Sequence, residues 1–428
     1  MNALTVTRGA AARLSHPKYL LFPARLNCST SRVRVVFPAV AISRFYTMGS
    51  IADSLGGDNN TWKGLGAAEF DFRSDTMTKP TLSMLEAIAR TSLLDDVFGE
   101  DPTTNSLQEY VAKRTGHEAA LLVMSGTMGN QVAIRTHLTN PPYSVLCDHR
   151  AHVLNYEAGG VSMWTGATVT GIVPKNGRYL TLEDIQAKVV PPTDVHLCPT
   201  KVISLENTLN GLVMPLAEVK RITEWAHANG IKVHMDGARL WEAVASGAGS
   251  LSDYTSLVDS VSLCFSKGLG APIGSIIVGS KEFIERANWF RKSIGGGTRQ
   301  AGVIAAAARV ALDETFGLDP NGKDGKLRQS HVRAKQVAEM WTSRGGKLEE
   351  PVETNMVWLD LEASGLGMND LEKIGQEKGV KLLGNRLVVH YQITDESLRR
   401  LGEVFDVALS GKFERSADES RPYGSKKE

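Results

Sequence analysis

Three short stretches each set a chemically capable side chain at the end of an apolar run. In SVSLCFSKGLGAP, Lys267 follows Ser260–Phe265 and is flanked by Ser and Gly. An amine held at such a point is the kind that attacks a carbonyl to form a Schiff base. A solvated loop lysine is the commoner reading of any single Lys. In IKVHMDGARLWEA, Asp236 and Arg239 follow Ile231–Met235. A carboxylate there is able to keep a heteroaromatic ring nitrogen protonated, or simply to cap the next helix. Arg239 offers a planar fork for a carboxylate or phenolic oxygen, or else a surface ion pair of little consequence. In AALLVMSGTMGNQ, Gly126 and Thr127 bring a hydroxyl and free N–H groups to a helix start. That is a phosphate cradle in principle, and also an ordinary strand-to-helix turn. GGGTRQ (295–300), after Arg291 and Lys292, is a second candidate anion loop, or a hinge before the Ala-rich stretch.

The elements around these residues predict how they meet. Ala119–Met124, Val202–Leu205, Ile231–Met235 and Ser260–Phe265 read as strands. Helical patterns separate them, including one opened by Pro215 with Leu216, Val219, Ile222 and Ala226 on one face and Gly230 as its stop. Such alternation predicts an α/β fold with a mainly parallel sheet covered on both faces. Ligands of open parallel sheets sit at the carboxyl edge, where all three stretches end. From about Leu312 the pattern changes to helices near 326–344 and 369–379 and strands at Met356–Leu361 and Leu387–His390. We expect four parts: a leader and linker (1–66), a large cofactor-binding domain (67–311), a smaller C-terminal α+β domain (312–412) and a disordered tail (413–428).

Composition narrows the function classes. The chain has 428 residues, 42% hydrophobic and 22% charged, as expected of a soluble globular protein. No run approaches the ~20 apolar residues of a membrane span. Net charge is +1, yet residues 1–52 hold seven Lys/Arg and no acid, which leaves −6 on the rest. A mildly acidic body gives no reason to expect nucleic acid as partner. The leader has the composition of a mitochondrial transit peptide; the alternative is translation from Met48 and a cytosolic protein. The scattered Cys28, Cys147, Cys198 and Cys264 lack any C-x-x-C pair and argue against a disulfide framework or a zinc site.

Nine motifs, in order from about Phe70 to about Tyr391, carry a family resemblance: FRSDTMTKPT, DDVFGEDPT, SGTMGNQVA, HVLNYEAGG, SLENTLNG, HMDGARLWEA, LCFSKGLGAPIGS, RKSIGGGTRQAG and TNMVWLDL. Together they resemble the low-specificity L-threonine aldolases, pyridoxal-phosphate enzymes of the transferase-like fold type I. The resemblance implies that Lys267 holds the cofactor covalently and that Asp236 pairs with its pyridine nitrogen. Gly126 and Thr127 would hold the phosphate, with Lys292 and Arg299 reaching it from a neighbouring subunit. Ser74, Arg239 and Arg386 would bind the substrate carboxylate. His152 would stack on the cofactor ring and His196 would lie near the β-hydroxyl, either one, or a water it holds, serving as the base.

The implied reaction cleaves L-threonine or L-allo-threonine to glycine and acetaldehyde, in a homo-oligomer (dimer or tetramer) with shared sites. A β-eliminating lyase, a serine-hydroxymethyltransferase-like enzyme and an inactive cofactor-binding homologue are the alternatives. Phe98, Leu209 and Thr298 depart from the family's usual Tyr, His and Met, and Tyr156 stands at a variable position. These changes bear on diastereomer preference.

Overall fold

The computed structural model describes residues 61–411, so the expected leader and tail lie largely outside the described residues. Seven strands build the larger sheet: β1 (Ala119–Val123), β2 (Ser144–Asp148), β3 (Thr168–Ile172), β4 (Thr200–Glu206), β5 (Lys232–Gly237), β6 (Ser260–Cys264) and β7 (Ser275–Gly279). Their order is β1-β7-β6-β5-β4-β2-β3. Neighbours from β6 through β5, β4 and β2 to β3 are parallel, whereas β7 runs antiparallel to both β6 and β1. The α/β fold with a mainly parallel mixed sheet is therefore the one expected. The antiparallel β7 was not, because hydrophobic runs carry no sign of strand direction. β2, β6 and β7 are buried along their whole length, as expected of strands covered on both faces.

One helix has to come close for the site to form. Helix Gly126–His137 starts right after β1, where the Ser125 hydroxyl caps it by accepting from Met128 N at 3.1 Å. It lies across β6 with Gly129 against Ser262. A Cβ at Gly129 would stand 2.4 Å from Ser262 Oγ, so any side chain there lifts the helix off the sheet. Val132, Ala133 and Ile134 bury the helix's apolar side.

A second sheet, β10-β9-β8, is antiparallel: β8 (Lys347–Leu348), β9 (Met356–Asp360) and β10 (Arg386–Val388). Helices Leu327–Thr342, Met368–Glu377 and Asp395–Ala408 supply its core through Trp341, Leu371, Ile374, Leu401 and Phe405. Phe72 belongs to this smaller core, held by Phe72 N→Lys381 O at 2.9 Å and Val388 N→Phe72 O at 2.8 Å. Conversely Leu312, Phe316 and Leu327 pack in the core of the larger sheet. The chain thus crosses between the two cores in both directions, and the first crossing carries Arg73, Ser74, Asp75 and Thr78 toward the strand ends. Among the described residues no helix is long and apolar enough to cross a membrane.

Candidate active site

Parallel strands β2, β4, β5 and β6 all point their carboxyl ends at one edge of the larger sheet, and β1 reaches it too because its neighbour β7 is reversed. Lys267 sits three residues beyond β6, half-buried. Its carbonyl accepts from Thr78 Oγ1 at 2.9 Å, which ties the lysine turn to the crossing segment. Asp236 lies on adjacent β5 and is buried. It does not cap the following helix: Oδ1 accepts from Ala238 N at 3.0 Å and Oδ2 from Asn130 Nδ2 at 2.7 Å. Gly126 and Thr127 open their helix at the same edge, where first-turn N–H groups have no intrahelical acceptor.

On the β2 side, His152 Nδ1 is 3.0 Å from Glu157 Oε1, and His152 N donates to Glu206 Oε2 at 2.8 Å. Glu206, the last residue of β4, pairs directly with Asp236. Desolvation, and then the Asp236 charge, pushes its carboxyl up to about 8. Burial works against a charged His152, but the Glu157 hydrogen bond and the Asp236 charge outweigh it and raise the imidazole above its ordinary value.

On the other side Asp75 and Arg239 form a two-pronged pair, Nε→Oδ2 at 2.8 Å and Nη2→Oδ1 at 2.6 Å. Burial opposes ionisation of Asp75, yet the Arg239 charge and hydrogen bonds, aided by Lys267 and Arg386, hold it well below the usual carboxylate range. Arg239 is in turn raised: the Asp75 partner overcomes its desolvation. Arg386, from β10, donates 3.2 Å to Arg73 O and lies 6.0 Å from the Trp358 ring. Burial first, and the Arg239 charge second, lowers it. Ser74 is beside this group, its hydroxyl accepting from Thr76 N at 3.2 Å.

The structure therefore brings together Lys267, Asp236, His152, Gly126, Thr127, Ser74, Arg239 and Arg386 at one edge, with two differences from expectation. Arg239 is not a free fork, since its Nε and Nη2 already grip Asp75. His196 is not grouped with them: it precedes β4, whereas Gly126, Asp236, Arg239 and Lys267 stand at or just beyond the carboxyl ends of β1, β5 and β6. It is exposed and paired with Asp194 through Nδ1 at 2.9 Å. Lys292 and Arg299, expected to act on a neighbouring subunit, are exposed. Arg299 pairs with Asp95 at 2.6 Å, and Lys292 lies against Gly297. Asp75, Glu157, Glu206 and Asn130 had no assigned chemistry, although all lie inside the quoted motifs; Glu206, an acid closing the apolar run VISL, was the visible signal.

An amine, an acid on the neighbouring strand and a helix start with free N–H groups are the donor set that a phosphorylated pyridine aldehyde requires. At the carboxyl edge of this mixed sheet they define a pyridoxal-phosphate enzyme of fold type I. Comparison with known proteins agrees. Residues 71–364 match the family model described as beta-eliminating lyase. The chain is 54% identical to Aldolase vrtJ of Penicillium aethiopicum, over 83% of this chain and 91% of the relative. It is 46% identical to the low-specificity L-threonine aldolase of Saccharomyces cerevisiae (80% and 88%) and 46% identical to Alanine racemase TOXG of Cochliobolus carbonum (81% and 90%). A threonine aldolase structure from Leishmania major shares the fold, with a TM-score of 0.68, 18% identity and coverage of 79% and 99%. The chain belongs to the beta-eliminating lyase family, among its low-specificity L-threonine aldolase members, and is a carbon–carbon lyase that uses pyridoxal phosphate.

Proposed function

We propose that the enzyme cleaves L-threonine, L-allo-threonine or both to glycine and acetaldehyde, and so serves threonine breakdown and glycine supply. The observation that carries this reading is the convergence of Lys267, Asp236, His152 and Arg386 at one sheet edge. Lys267 would hold the cofactor covalently, Asp236 its ring nitrogen, and the N–H groups of Gly126 and Thr127 its phosphate. Bound there, pyridoxal phosphate supplies an electron sink for the charge left on the substrate's Cα.

Arg386 would grip the substrate carboxylate through two charge-assisted hydrogen bonds, with Ser74 beside it. Fixing the carboxylate fixes rotation about the N–Cα bond, and so selects which bond at Cα is weakened. Arg239, committed to Asp75, would support this clamp rather than form it. His152 is the base we favour for the β-hydroxyl proton: Glu157 holds its Nδ1, which leaves Nε2 for the substrate. The 46% identity to an alanine racemase supports a second reading, reversible proton removal from Cα of alanine.

We further propose an oligomer in which Lys292 and Arg299 reach a neighbouring copy's phosphate. The expected targeting segment lies outside the described residues, and cytosol or mitochondrial matrix remains our proposal for location.

Incubation with each threonine diastereomer tests the main reading. Glycine and acetaldehyde are the expected products, and Lys267→Ala should lose nearly all turnover together with the visible absorbance of the lysine-bound cofactor. Oxo acid plus ammonia, or efficient cleavage by Lys267→Ala, refutes it. Chiral analysis of L-alanine incubated with the enzyme decides the second reading.

A further inference from the structure

Glu157 and Asp236 are both buried, and with His152 they place ligand-type atoms within 4.8 Å of one another. Two carboxylates this close require donors, and one side chain serves both. Asn130 Nδ2 donates to Asp236 Oδ2 at 2.7 Å and to Glu157 Oε1 at 2.9 Å. An amide nitrogen carries two hydrogens, so its capacity is fully used. Gln131, the next residue, adds Nε2→Glu157 Oε2 at 3.2 Å. It does so across Gly160, where a Cβ would fall 2.1 Å from that nitrogen.

The amide's other end is equally determined. Asn130 Oδ1 must accept, and His234 Nε2 faces it at 3.1 Å. Burial pushes His234 down to about 4, so the ring is neutral and carries one N–H. That hydrogen goes to Asn130, and Nδ1 then accepts from the Ser260 hydroxyl at 2.9 Å. The Ser260 oxygen accepts in turn from His137 Nε2 at 2.7 Å. His137 is also neutral, burial pushing it down to about 3. Each hydrogen from His137 to the two carboxylates has a single place. A reversed amide would set Nδ2 against the His234 N–H and Oδ1 against two anions.

We propose that Asn130 is a positioning residue that aims Asp236 at the cofactor nitrogen and, through Glu157, aims His152, with His234 dictating which way the amide faces. Asn130 needs no contact with substrate for this. It acts on the charge and direction of two side chains that do make contact, and the inference rests on the cofactor site proposed above.

The test uses the full chain, stripped of cofactor and retitrated with pyridoxal phosphate. The readouts are the cofactor dissociation constant and the pH midpoint of its lysine-bound visible absorbance. Far-ultraviolet circular dichroism and the melting temperature of the apoenzyme monitor the fold. Asn130→Leu keeps the volume and removes both donors. It should weaken cofactor binding by about tenfold or more, the effect of one hydrogen bond to a charged group, and move the midpoint. His234→Phe touches neither carboxylate, yet should weaken binding by about threefold or more; His234→Gln, which restores a donor, should lose less.

A folded Asn130→Leu that binds cofactor within about threefold of wild type at an unmoved midpoint overturns the proposal. So does a lowered apoenzyme melting temperature as its sole effect. Should Asn130→Leu not fold, the His234 pair decides: equal binding by Phe, Gln and wild type is the overturning result. If wild type and Lys267→Ala show the same absorbance, the cofactor site itself is wrong and the inference falls with it; an unaltered Asn130→Leu sinks the inference alone.

Discussion

The two flanks of Lys267 handle charge in opposite ways. On one, the buried Asp75 and the half-buried Arg239 are paired bidentately, each driving the other further into its ionised form. On the other, Glu157, Asp236 and Glu206 crowd together, with the His152 imidazole hydrogen-bonded to Glu157 and amides as donors. The balanced flank has no proton to gain or lose near neutrality, so it is scaffold. The acidic flank has spare negative charge, suited to receive a protonated ring nitrogen, and there proton traffic is expected.

Removing a partner from the balanced flank should have the largest effect. Asp75→Ala leaves the half-buried Arg239 without its hydrogen-bonded carboxylate, and we expect a loss of about 3–5 kcal/mol in chemical denaturation. A loss below about 1 kcal/mol would mean that water reaches the pair and that this flank is not rigid. Next comes Arg386→Ala. Losing a charged grip on the substrate carboxylate should lower kcat/KM by about 10–150-fold with the fold intact. A value near wild type would return the substrate-binding role to Arg239.

The acidic flank predicts a pH effect of definite sign. A base must be neutral to act, and Glu157 raises the His152 value, so it holds activity back at low pH. Glu157→Gln should therefore increase the ratio of kcat/KM at pH 6 to that at pH 8. A fall in that ratio excludes His152 as the base. The smallest effect belongs to His196→Ala, expected to change kcat/KM by less than about threefold because a pair so exposed contributes little. A tenfold loss would show that its loop reaches a site in another copy.

Much of this was legible beforehand, for a physical reason. Lys267, Asp236 and Gly126 each follow a short apolar run, and in a parallel sheet every such run delivers its next residues to the same edge. His196 stands apart because it precedes its strand instead of following it, a matter of polarity along the chain that family position alone did not reveal. Pairing was the other gap. Arg239 finds Asp75 across 164 residues, and Asn130 finds Asp236 across 106, so no local spacing announces either bond. β2 went unassigned because SVLCD offers only three consecutive apolar residues; its burial along its whole length shows only in three dimensions.

The crossing segment also sets a timetable for synthesis. Phe72 and Asp75 leave the ribosome early, but Lys79 is bonded to Gln392, 313 residues later, and Phe72 waits for Lys381 and Val388. At roughly 5–20 residues per second, that interval is on the order of 15–60 s. Throughout it an aromatic ring destined for burial stays exposed to water and to passing chaperones, while the Asp75 carboxylate waits for Arg239, 164 residues on. A nascent chain halted before Lys381 should therefore leave this segment open to proteases, and release of the last stretch should close it.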